Sequence, residues 1–289
     1  MQNETWMVEM EDGSNIKIRL FRNGKNQNLP VIICLSAMGV PANYYKPFAE
    51  LLRQKNFHVV TADLRGNGES SVRVNRQNNF GFHEMLTYDW PAIIRKVREI
   101  FKTEPVYLCG HSLSGNLSAL YLSKNPHQIT GLIMIASCLI HHRGWNYPQN
   151  IGVLAGTQFM RVIAETLGYF PGKYMGFGAL EAKGVIRDWT RTALTGTYRP
   201  TANPYDFETL LQHLPLPVLA ISLEQDSWVS EQSVINLCHK MKNAAVAHHR
   251  LKASLFGKNK VDHFRWVQSS GPVVDCIANW IHASDSSFG

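Results

Sequence analysis

A serine set among small residues, Gly110-His111-Ser112-Leu113-Ser114-Gly115, stands where the apolar run Val106 to Cys109 gives way to a helical pattern over Leu113 to Ser123. Small residues at 110 and 114 suit a tight strand-to-helix turn, because neighbouring backbone closes on both positions, and such a turn lifts the serine hydroxyl clear of a sheet. The turn also forces Ser112 toward positive φ, a strain of about 1–3 kcal/mol that sequences keep chiefly where it serves function. Ser114 occupies the place where this motif ordinarily has glycine, and Gly115 follows it. The spacing of Gly110 and Gly115 also fits a phosphate loop, but that loop continues with Lys and then Ser or Thr, where this chain has Asn116 and Leu117. A glycine-rich turn with no chemistry is the remaining alternative.

A serine hydroxyl attacks a carbonyl only when a histidine takes its proton, and that histidine needs a carboxylate to fix its tautomer and stabilise the imidazolium. The acid and the base should follow the serine in that order, each in a loop at the carboxyl edge of the sheet. After the apolar run Pro217 to Leu223 comes Glu224-Gln225-Asp226-Ser227-Trp228-Val229, and near the end comes Lys260-Val261-Asp262-His263-Phe264. These loops put forward Asp226 as the acid and His263 as the base. Glu224 competes with Asp226; Asp262 competes poorly, because a residue next to His263 can rarely turn its carboxylate onto that ring. The other histidines lack the loop setting: His248 and His249 fall in a strand pattern and His282 in the closing helix. The oxyanion formed on attack needs two backbone N–H donors. Leu113, just after the nucleophile, supplies one; the loop Ser36-Ala37-Met38-Gly39-Val40 supplies the other, with Met38 favoured and Ala37 the runner-up.

Positioning these groups requires a particular order of elements. Thr5 to Met10 and Asn15 to Phe21 alternate in polarity around Asp12-Gly13, which predicts an antiparallel pair. Continuous apolar runs at Val31 to Leu35, Phe57 to Ala62, Val106 to Cys109 and Gly131 to Ser137 then alternate with helical patterns near 43–55, 89–101 and 113–123. Strands buried on both faces and separated by helices predict an α/β fold with a mostly parallel sheet. The alternation stops from Leu139 to Leu214, a stretch rich in Gly, Trp, Tyr and Pro with helical pieces at Gln158 to Leu167 and Val185 to Thr195 and no convincing buried strand. It is too long for a structureless loop. Residues 139–214 therefore read as an inserted cap, and 1–138 with 215–289 as the core, which resumes with a strand to Leu223, a helix over Ser230 to Met241, a strand over Val246 to Lys252 and a helix over Pro272 to His282.

The chain has 289 residues, 45% hydrophobic and 18% charged, ample material for one large domain. Its net charge of +7 is scattered, with no basic run of the kind that binds nucleic acid. Cys34, Cys109, Cys138, Cys238 and Cys276 are odd in number and irregularly spaced, which argues against a disulfide framework. The first twenty residues lack the basic and apolar regions of a signal peptide, and no segment has about 18 consecutive apolar residues, so a cytoplasmic protein without stable membrane insertion is expected. Adjacent His141 and His142 rarely point at one metal, and no matching cluster of acids or cysteines is visible, so no metal is expected there.

The residues around Ser112 resemble the α/β-hydrolase superfamily, and the likeness runs along essentially the whole chain. Asp63-Leu64-Arg65-Gly66-Asn67-Gly68-Glu69-Ser70 looks like the D-x-R-G-x-G-x-S turn of many serine hydrolases of this fold, where its role is mainly structural. Met38-Gly39-Val40-Pro41 with Tyr44 to Ala49, Gly168 to Gly172 and Asp188-Trp189 is similar to a bacterial group of α/β hydrolases of unassigned substrate. The resemblance implies a serine hydrolase that needs no cofactor and acts on a small-molecule ester-like substrate. Carboxylic esters come first, then thioesters, lipids, lactones and small amides; a homodimer is allowed for. Acyl transfer or lyase chemistry on the same fold, or ligand binding without turnover, are the alternatives.

Overall fold

In the computed structural model, residues 4–24, 28–176 and 178–285 are described. The antiparallel start forms as β1 (Glu4–Glu9) and β2 (Asn15–Phe21), paired through Met7 and Lys17. The apolar runs become β3 (Val31–Leu35), β4 (His58–Ala62), β5 (Val106–His111), β6 (Gly131–Ile135) and β9 (Val218–Leu223), each buried along its whole length. β10 (Val246–Leu251) closes an eight-stranded sheet of order β1-β2-β4-β3-β5-β6-β9-β10. β2 alone runs against the rest. β10 has one neighbour, and its His249 and Arg250 are exposed.

Successive residues of a strand point to opposite faces, so the buried strands feed two cores. On one face Ile33, Leu108, Leu132 and Ala220 pack with Trp90 and Val97 of α3 (Trp90–Ile100), Leu117 and Leu120 of α4 (Leu113–Lys124), and Leu237 of α8 (Glu231–Cys238). On the other, Ile32, Cys34, Cys109, Ile133 and Ile221 pack with Phe48 and Leu52 of α1 (Lys46–Gln54) and Val274, Ile277 and Ile281 of α9 (Gly271–Asp285). Between α1 and α3, a single turn α2 (Phe82–Glu84) runs into a π-helical turn at Met85–Asp89.

The strand order reverses at β3, whose neighbours are β4 on one side and β5 on the other. The register pairs Leu35 with Gly110 and His111 with Ile135, so the loop after β3 and the turn after β5 emerge side by side. Such a switch point is where an open α/β sheet offers a crevice at its carboxyl edge.

The segment between β6 and β9 holds α5 (Gln149–Leu167), α6 (Lys183–Thr195) and α7 (Phe207–Gln212). It also holds a short antiparallel pair, β7 (Tyr169–Phe170) with β8 (Glu181–Ala182), where the sequence suggested no buried strand. Two-residue strands are too short to produce a period, although Phe170, Glu181 and Ala182 are buried. α5 begins nine residues before the expected Gln158, because Gly152 and Gly156 dilute the helical pattern of its first turns. The segment is fastened to the core by Asp188, whose carboxylate accepts from the backbone N–H of Phe82 at 3.2 Å and, within the segment, from that of Thr201 at 2.9 Å.

Candidate active site

Ser112 links β5 to α4 at φ 57° and ψ −122°, a conformation only a tightly held turn sustains. The turn is held by close backbone approach: a Cβ on Gly110 would lie 2.3 Å from the Gly115 nitrogen, and one on Gly115 would lie 2.0 Å from Ser137 Oγ. Glycine is therefore demanded at 110 and 115. At 114 a hydroxyl fits, because Ser114 Oγ donates into the gap toward the carbonyls of Leu35, 2.8 Å away, and His111, 3.0 Å away. The substitution in the motif thus ties the turn to the end of β3.

His263 Nε2 lies 3.0 Å from Ser112 Oγ, and His263 Nδ1 lies 2.7 Å from Asp226 Oδ2. The three residues, 114 and 37 positions apart along the chain, meet at one point, and the Asp226 and His263 side chains are only 1% and 4% exposed. Asp226 is held by its own loop: Oδ1 accepts from the N–H groups of Trp228 at 2.8 Å and Val229 at 3.0 Å. The Trp228 ring stacks on the His263 imidazole with centroids 6.0 Å apart and planes 16° off parallel, while Phe264 meets it edge-on at 4.7 Å. The imidazole is thus fixed on two sides by aromatic rings.

The competing carboxylates are engaged elsewhere. Glu224 Oε2 accepts from Ala253 N–H at 2.8 Å, and Asp262 Oδ1 accepts from the N–H groups of Phe264 and Arg265 at 3.0 and 2.8 Å. The two candidate oxyanion donors after β3 also separate. Ala37 N–H donates to Tyr45 Oη at 3.0 Å, whereas Met38 N–H and Leu113 N–H have no acceptor among the described residues.

A group that sequence reasoning missed lies behind the imidazole. His111, whose ring centroid is 4.9 Å from that of His263, is buried among Tyr45, Trp266 and Phe264. Its Nδ1 is 2.6 Å from Tyr45 Oη, and Trp266 Nε1–H points at its Nε2 from 3.3 Å. Burial, reinforced by the neighbouring His263, pushes its pKa well below the usual histidine range, so His111 stays neutral. It is a spacer joining the loops of Ala37, Ser112 and His263. No spacing signals it, since its partners are 66 and 155 residues away.

The open space in front of Ser112 is a chamber of about 50 Å³ walled by Met38, Leu113, Asn116, Cys138, Ile140 and Trp189, with Trp228 and His263. Burial pushes the Cys138 thiol up to about 12, so it remains protonated and no rival to Ser112 as a nucleophile. Asn116 Nδ2 donates to the Cys138 carbonyl at 2.7 Å and to Tyr198 Oη at 2.6 Å, which fixes the amide orientation. The Asp63 turn sits just behind: its Oδ1 accepts from Ala42 N–H at 2.6 Å and its Oδ2 from Glu69 N–H at 3.1 Å, anchoring the end of the loop that carries Met38. His141 and His142 stand edge to face at 4.6 Å, away from the chamber wall.

Comparison with known proteins bears on this arrangement. The family model for the alpha/beta hydrolase fold matches residues 30–253. Phospholipase YtpA of Bacillus subtilis is 30% identical over 139 residues, 47% of this chain and 50% of that protein; the match thus spans about half the length of that curated relative. Among solved structures, Est1E of Butyrivibrio proteoclasticus with bound ferulic acid superposes with a TM-score of 0.66 at 13% identity, over 97% of this chain and 99% of that one. DcsB in complex with its substrate analogue gives 0.64 at 16% identity, over 98% and 99%. At these identities the two structures speak to the fold.

Proposed function

The chain belongs to the α/β-hydrolase fold family, and from that premise we propose that it is a serine hydrolase of carboxylic esters, with Ser112 as nucleophile, His263 as base and Asp226 as the acid. The observation that carries this reading is the pair of contacts made by one imidazole, 3.0 Å to Ser112 Oγ and 2.7 Å to Asp226 Oδ2. Ser112 Oγ bonds to the carbonyl carbon as its proton passes to His263 Nε2, and the carbonyl pair moves onto oxygen. Asp226 accepts from Nδ1–H and stabilises the imidazolium. The N–H groups of Met38 and Leu113 hold the oxyanion; a donor of this kind contributes about 3 kcal/mol to the transition state. Collapse re-forms the carbonyl and expels the alkoxide, which takes the proton from Nε2. Water then attacks the acyl-enzyme, giving its proton to Nε2, and the acid leaves as Ser112 recovers its hydrogen.

Residues 139–214 serve as a cap over this chamber, and its apolar wall favours an ester whose acid or alcohol is hydrocarbon. The relatives support that choice, since one of the proteins this chain resembles is named a phospholipase. The test is labelling with a fluorophosphonate together with hydrolysis of p-nitrophenyl butyrate. Wild type should be labelled at Ser112, and Ser112→Ala should lose the label and about 10⁴-fold or more in kcat. Equal labelling of the alanine variant would defeat the assignment.

A further inference from the structure

Resting on the reading of Ser112 as an ester hydrolase, we propose that one extended hydrocarbon chain of the ester lies in the groove between helix α5 and the Trp228 loop, and that Gly152 and Gly156 set its length. The chamber at Ser112, about 50 Å³, is small beside the ~300–1,000 Å³ of small-molecule sites. Beside it runs a second space of about 450 Å³, within the ~300–1,000 Å³ range of small-molecule sites. The two share Ile140, Trp189 and Trp228, so these three side chains are the partition between nucleophile and groove. Beyond the partition the walls are Trp145, Val153 and Met160, with Gln149 and Ser227 as polar members. The hydroxyl of Thr157 is turned onto the helix itself, donating to the Val153 carbonyl at 2.8 Å. A mainly apolar surface next to the reacting centre suits an alkyl chain rather than a polar headgroup.

The glycines sharpen the assignment. Neither Gly152 nor Gly156 has positive φ, and a Cβ built on either would meet nothing within 4 Å. Backbone geometry and packing therefore make no demand for glycine in the interior of a 19-residue helix, where alanine would be more stable. Both line the groove, and what their missing side chains preserve is its width.

Two ester series separate the sources of the chain: p-nitrophenyl esters of acids from acetate to myristate, and butyrate esters of alcohols from methyl to dodecyl. In one of them kcat/KM of the wild type should climb roughly threefold to fourfold per methylene before levelling off. Gly156→Leu should lower the long-to-short ratio in that series by at least about 30-fold, the worth of two to three buried methylenes, with a Tm no lower than that of wild type. Thr166→Leu, which puts the same leucine side chain on an exposed part of α5 outside the groove, should keep the wild-type ratio. Gly152→Leu, read in the same way, replaces Gly156→Leu if that variant does not fold. Flat profiles in both series, or glycine variants with the wild-type ratio, overturn the groove assignment while leaving Ser112 as nucleophile. No turnover in either series together with an unlabelled Ser112 removes the underlying reading and the groove with it.

Discussion

Asp226 and Glu224 are two positions apart in one loop, and what distinguishes them is which N–H groups each carboxylate has been given. Asp226 is oriented by Trp228 and Val229 and faces the imidazole; Glu224 turns to the next strand's end at Ala253. Asp226→Asn should keep the geometry but leave His263 in the wrong tautomer, lowering kcat on p-nitrophenyl butyrate by about 10⁴-fold. Glu224→Gln should stay within about threefold of wild type, since its contact is an exposed backbone cap. Ser112, Asp226 and His263 were legible as candidates because each is placed by chain order relative to an apolar strand. The choice of Met38 over Ala37 was open in the sequence, and it turns on Tyr45 Oη, which takes the Ala37 N–H. Tyr45→Phe would leave that buried N–H and the facing nitrogen of His111 without their partner. It should lower the unfolding free energy by about 1–3 kcal/mol in a urea titration.

The turns and helices respond to glycine replacement in opposite directions, which tests the account of each. Gly110→Ala drives a Cβ into the Gly115 nitrogen and its neighbouring Ser114 carbonyl carbon at 2.3 and 2.5 Å, backbone that cannot rotate away. Unfolding free energy should fall by about 3 kcal/mol or more. Gly156→Ala, with open space around it, should raise unfolding free energy by up to about 1 kcal/mol. The central strands were legible nearly to the residue because burial on both faces leaves a continuous apolar run: Val31 to Leu35 forms as read, and Val218–Leu223 starts one residue late. Between β6 and β9 that signal fails. α7 was not anticipated, because its six residues span less than two turns; its start is marked by the Asp206 side chain accepting from Glu208 and Thr209. β7 and β8 pair over only two residues each, too few to leave an alternating pattern. There, local pattern yields to contacts made across tens of residues.

Across the molecule, the segment above the chamber meets the core at Glu181, a buried residue of β8. Burial pushes its pKa up to about 8, against a partial counter-effect from the Asn67 side chain, and its Oε1 has no hydrogen-bond partner among the described residues. The same segment presses on the loop of Met38: a Cβ on Gly39 would lie 2.6 Å from the Ala179 nitrogen and 3.1 Å from Glu181 Oε1. An acid whose folded pKa is raised favours folding fully below its ordinary value of 4.5, and that contribution is lost as pH climbs through about 8. Wild type should therefore lose Tm between pH 5 and 8, and Glu181→Gln, a neutral mimic, should flatten that part of the profile. Equal slopes for the two proteins would show that Glu181 does not titrate in this window. At the far end of the sheet, β10 has a single neighbour and turns His249 and Arg250 to solvent, with Arg250 3.0 Å from Glu231. Open hydrogen-bonding rims invite sheets to fuse from molecule to molecule, and cationic side chains along them are a natural deterrent. Two copies brought together at this rim would have to strip water from the Arg250–Glu231 ion pair of each, so crowded solutions of the protein should resist fibrous growth from that border until the pair is removed.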